Sequence, residues 1–181
     1  MNVRTTIVFS SLALIYLATL PLTPYVAQFL PKALPIVVLA VFAYTKLSAM
    51  PRYMVLTALL FSLAGDVSLA LPFADSFITG LACFFVAHLT YAMCFALLHR
   101  SLLETPGNHI ISRKPKWFIS IIMASFAVMM AVHILPASKA LFYPVVAYIS
   151  VITLMGLTAV WLAQTKLIVI GALLFVISDA I

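Results

Sequence analysis

Asp66 and Asp179 are two of only four acidic residues in a chain of 181. Each ends the same kind of phrase, ALLFSLAGD over residues 58–66 and ALLFVISD over residues 172–179. An ionised carboxylate is costly in hydrocarbon, so an acid inside an apolar stretch is by default a functional group turned toward other protein. Burial disfavours the charged form of a carboxyl and a second carboxyl nearby disfavours it further, so a facing pair holds one proton at neutral pH. One member can then donate a proton while the other stays an anion. The structural alternative is a pair of protonated acids bridging helices by hydrogen bonds.

Other side chains that could act with them lie in the same kind of surroundings. In GLACFFVAHLTYAMCF, residues 80–95, Gly80, Phe84, His88, Tyr91 and Phe95 recur at helical spacing and form one stripe. His88 is the one histidine well inside an apolar segment, where it could orient an acid, polarise a substrate or bridge helices. Tyr91 and Tyr148 could support a site or, like many tyrosines near membrane interfaces, act as anchors. Lys32, in PKALP, can meet a lipid phosphate or a carboxylate near the helix ends, or snorkel to headgroups; its neighbouring prolines predict a stiff loop. Gly65 and Ser178 each precede an aspartate and are small enough for close helix approach. The run RKPK at residues 113–116 reads as a topology signal that also attracts anionic lipid. There is no HExxH, CxxC, glycine-rich phosphate loop or GxSxG, and a multi-histidine zinc site would need more than His88. The expectation is acid and base chemistry by carboxylates, with no metal and no cofactor.

Positioning these groups requires helices that cross a membrane. Hydrophobic residues make up 66% of the chain and charged ones 8%, and several apolar runs reach the ~20 residues that span a bilayer core. Barrel strands would be shorter and alternating. The fold class is therefore all-α, a polytopic transmembrane helical bundle over residues 1–181 as a single domain. The segments are 5–22, 34–46, 53–72, 77–98, 117–135, 140–163 and a seventh from Lys166, which is expected to be cut short at Ile181 after about fifteen residues. Arg4 and the first run imitate a signal peptide but read as the first span. Cys83 and Cys94 stand ~16 Å apart along one helix, too far for a disulfide.

The net charge of +6 is no argument for nucleic acid, because the cations cluster in the connections. Arg4, Lys46, Arg52, Arg100, Arg113, Lys114, Lys116 and Lys166 fall on one side, and only Lys32 and Lys139 on the other. That bias puts the amino terminus in the cytoplasm. Helices 3 and 7 are then parallel, and both aspartates lie ~20 Å along them, past the midplane toward the outer leaflet. Parallel helices four apart are also what duplication of a four-helix unit produces.

Five stretches in order, PKALP, ALLFSLAGDVSLA, FFVAHLTY, YPVVAYISVITLMG and GALLFVISDAI, resemble the YhhN-like family of integral membrane proteins, whose characterised animal members are lysoplasmalogenases. Ala33 stands where that family commonly has a proline, and the family continues into an eighth helix. The resemblance implies a bacterial inner membrane, or an ER-type membrane in a eukaryote. It further implies a lysophospholipid substrate within the membrane lipids and hydrolysis of a lysoplasmalogen vinyl ether, releasing a fatty aldehyde and a glycerophospho-base. A vinyl ether is cleaved by protonation of carbon and capture of the oxocarbenium ion by water, which suits one neutral and one anionic carboxyl. The alternatives are a proton-coupled transporter, a lysolipid-binding protein, and an intramembrane aspartyl protease, whose two acids come from adjacent antiparallel helices.

Overall fold

The structure is a computed structural model that describes residues 3–19, 29–47, 49–103, 113–162 and 166–178. Among the described residues seven α-helices follow one another: α1 (Val3–Thr19), α2 (Phe29–Lys46), α3 (Ala49–Ala70), α4 (Ser76–Leu103), α5 (Arg113–Ser138), α6 (Phe142–Leu162) and α7 (Lys166–Ser178). A single 3-10 turn, Lys139–Leu141, joins α5 to α6. No strand occurs among the described residues. Among the described residues five helices, α2 to α6, are long and apolar enough to cross a membrane; α1 and α7 are apolar but shorter over their described lengths. The all-α membrane bundle read from the sequence is what the chain forms.

One difference from the expected boundaries is at PKALP. It is the opening of α2, not a loop, and α2 begins at Phe29 where a start near residue 34 was expected. Pro31 falls in the first turn, where its missing N–H would have no intrahelical partner anyway. Pro35 lies inside the helix and removes one i→i−4 bond. The apolar residues on either side keep the helix going in a medium that cannot hydrate an open backbone.

Clustering of backbone contacts divides the chain into two compact units, Met1–Ala87 and His88–Ile181, with the division inside α4. In the first unit α1 packs on α2 and α2 on α3. The turn between α2 and α3 is short: the Leu47 N–H donates to Ala43 O at 3.0 Å, and Arg52 Nε donates to Leu47 O at 2.6 Å. The Arg52 guanidinium also lies 5.4 Å from the Tyr44 ring centre. Ala49 takes a positive φ of 52° to complete the reversal, a conformation that non-glycine residues adopt at a cost of ~1–2 kcal/mol. At the start of α4 the Asp75 carbonyl accepts from the Thr79 N–H at 2.9 Å, the bond expected of an N-cap residue.

The second unit repeats that order of packing, α5 on α6 and α6 on α7. Met123, Ile152, Met155, Ala159, Val160 and Val176 belong to its buried cluster. Lys116 is buried and donates from Nζ to the Trp161 carbonyl at 3.0 Å. It thus satisfies one of the carbonyls that a helix leaves open at its C-terminus, with the charge on the favourable side of the helix dipole. Trp161 in turn donates from Nε1 to Ser120 Oγ at 2.9 Å, and Trp117 meets its ring edge-on at 5.1 Å. The last cation of RKPK therefore fastens α5 to the end of α6.

Many buried positions carry small side chains. Ala43, Ala58, Ser62, Gly65, Ala87 and Ala159 are buried, whereas Leu14, Phe118 and Val132 are exposed. Lipid tails solvate leucine as well as protein does, so close packing of small residues, not sequestration of large ones, holds such helices together.

Candidate functional site

In the first unit Lys32 Nζ lies 2.7 Å from Asp66 Oδ1, and the two side chains are 29% and 14% exposed. Lys32 is one turn after the start of α2 and Asp66 one turn before the end of α3, so the pair lies ~6 Å inside the helix ends, at 1.5 Å per residue. The aspartate is the more enclosed of the two. Of the two partners open to Lys32 from sequence, phosphate or carboxylate, the fold provides a carboxylate. A short charge-assisted bond to the ammonium fixes where the Asp66 carboxylate sits.

Gly65 sets how closely α4 approaches Asp66. A Cβ at Gly65 would lie 2.8 Å from two ring carbons of Phe84, and one at Gly80 would lie 2.7 Å from the Leu69 side chain and 3.3 Å from the Gly65 carbonyl. Glycines on both helices allow a close crossing, and the Phe84 ring closes the face of α3 beside the aspartate. Ser62, one turn before Asp66 on the same face, is only 4% exposed. Its Oγ has no hydrogen-bond partner among the described residues.

A second cluster belongs to the second unit. His88 is fully buried, and its Nε2 is 3.3 Å from Tyr148 Oη on α6. Phe175 of α7 presents an edge to the imidazole at 5.2 Å between ring centres. The histidine and Tyr148, sixty positions apart in sequence, are thus brought into one polar contact. Tyr91, one turn further along α4, stacks against Phe95 with ring centres 6.5 Å apart. Gly80 and Phe84 of the predicted stripe pack in the first unit, and His88, Tyr91 and Phe95 belong to the second.

Lys32, Asp66 and Gly65 are therefore together, and so are His88 and Tyr148. Ser178 is exposed at the end of α7. Asp179 lies outside the described residues. Sequence reasoning passed over Ser62 and Phe175. Ser62 had a readable signal, since it precedes Asp66 by four in one helix, whereas Phe175 had none beyond its place in ALLF.

Five long apolar helices among the described residues, with an ion pair just inside two helix ends, define a polytopic membrane protein. The model of the YhhN family matches residues 27–181, which include both clusters, and the chain belongs to that family. No curated protein and no solved structure matches it.

Proposed function

We propose that this YhhN-family protein is a membrane hydrolase that cleaves the vinyl ether bond of lysoplasmalogens. The observation that carries the reading is the Lys32–Asp66 pair, which holds an anionic carboxylate one turn inside the helix ends. The labile bond of such a lipid lies just below its glycerol, at a depth that suits this carboxylate. In this reading Asp179 supplies the proton. The proton adds to the outer alkenyl carbon, and the oxocarbenium ion that results is stabilised by the Asp66 anion. Water then bonds to the carbon bearing the ether oxygen and gives a proton to Asp66. As the hemiacetal breaks its bond to the glycerol oxygen, its hydroxyl gives its proton to the Asp179 carboxylate and the glycerol oxygen takes the proton from Asp66, so aldehyde and glycerophospho-base leave with both carboxyls restored.

The charge bias of the connections supports an amino terminus in the cytoplasm, which would put Lys32 and Asp66 toward the outer leaflet. The His88–Tyr148 contact is a supporting element in this reading.

The test is release of fatty aldehyde from a lysoplasmalogen by purified protein in detergent. Asp66→Asn and Asp179→Asn should each abolish release while the helical circular dichroism is kept. Full activity in either variant overturns the carboxylate mechanism. Absence of turnover together with accumulation of substrate in sealed vesicles would make the protein a transporter.

A further inference from the structure

The side chain that the Lys32–Asp66 pair leaves unexplained is Ser62. It is 4% exposed and its hydroxyl has no partner among the described residues. Serines in membrane helices ordinarily return this bond to the carbonyl one turn back, as Ser150 does here to Val146 O at 2.8 Å. Ser62 does not, and a buried hydroxyl without a partner is the kind of group that ordered water satisfies.

Its position says where that water would be. Side chains four apart on a helix are separated by roughly 5–6 Å at Cβ, a gap that one water bridges with a hydrogen bond to each side. Asp66 is the residue four further on. A carboxylate accepts at about four lone-pair positions, and the ammonium of Lys32 stands at Oδ1. Phe84 packs against Gly65, the residue before Asp66.

We propose that Ser62 is a positioning residue that holds a water molecule against the Asp66 carboxylate, and that this water is the nucleophile of the hydrolysis. The catalytic half of the proposal rests on the vinyl ether reading above. Ser62 Oγ and Asp66 both bond to the water. As the oxygen attacks the oxocarbenium carbon, one O–H bond breaks and its proton passes to Asp66, giving a neutral hemiacetal and no other product.

Two readouts on Ser62→Ala test it, with Ser62→Thr as the variant that restores the hydroxyl. The first is turnover of lysoplasmalogen with methanol added. Methanol that captures the cation gives a stable mixed acetal instead of aldehyde, so the product ratio reports how firmly water is held. Ser62→Ala should lower kcat by ~10²-fold, the loss that misplacing a reacting group brings. KM should stay unchanged and the share of acetal should rise, with both effects reversed in Ser62→Thr. An unchanged kcat and an unchanged acetal share in Ser62→Ala overturn the catalytic role.

The second readout needs no activity. With four acidic residues in the chain, the carboxylate infrared band of Asp66 can be assigned by its loss in Asp66→Asn. Removal of a bound water in Ser62→Ala should shift that band and abolish its response to heavy-oxygen water. If wild-type protein releases no aldehyde, the vinyl ether reading fails by itself. The water site then stands if the band shifts and falls if it does not.

Discussion

Replacing Lys32 by methionine removes the ammonium that stands 2.7 Å from Asp66 Oδ1 while keeping most of the side-chain volume. A hydrogen bond between charged groups contributes about 1.5–3 kcal/mol, and removing one partner of a fully enclosed pair costs about 3–5 kcal/mol. Here the lysine is 29% exposed and the aspartate 14%, so screening at the lysine end selects the lower range, about 1.5–3 kcal/mol. The assay is a double-mutant cycle of Lys32→Met and Asp66→Asn, read by reversible unfolding in mixed micelles. The coupling energy should fall in that range, with the double variant less destabilised than the sum of the two single variants. The same variants separate two roles for Lys32 in turnover. Without the ammonium the Asp66 carboxylate loses the charge-assisted bond that fixes its position, so Lys32→Met should depress kcat and Lys32→Arg should retain much of it. Stability effects that add to within about 0.5 kcal/mol, together with a raised KM and an unchanged kcat, would refute the pairing and leave Lys32 as a phosphate contact.

Gly65→Ala places a Cβ 2.8 Å from the buried Phe84 ring, and overpacking of this kind typically costs ~1–3 kcal/mol. It should lower the unfolding free energy and reduce turnover, and Phe84→Leu in the same chain should recover part of both. Ala49→Gly relieves the positive φ of 52° at the α2–α3 turn and should stabilise the protein by about 1 kcal/mol, seen as a higher unfolding midpoint with turnover unchanged. Tyr148→Phe removes the hydroxyl 3.3 Å from His88 Nε2. It should cost about 1 kcal/mol and change the imidazole nitrogen resonances of His88 measured by NMR.

The length and order of the helices were readable because they depend on local facts. An apolar run that enters lipid must close its own backbone hydrogen bonds, so run length alone gives a helix and its approximate ends. The expected ends failed at PKALP, where proline was read as a loop signal although the first turn of a helix tolerates it. Asp66, His88 and Lys32 stood out for a similar reason, as polar groups in or beside segments that otherwise exclude them.

Which of these groups meet was decided only by tertiary structure. Helices apolar on every side carry no periodic signal to say which face turns inward, so the sequence could place Lys32 and Asp66 near one membrane surface but not in contact at 2.7 Å. The same rotation about the helix axes sets Phe84 against Gly65, joins His88 to Tyr148 across sixty positions, and buries Ser62 one turn from the aspartate without a partner among the described residues. The sequence by itself determined that this is a helical membrane protein with a few costly polar residues. Close packing of small side chains, which acts between helices and not along them, decided how those residues are paired.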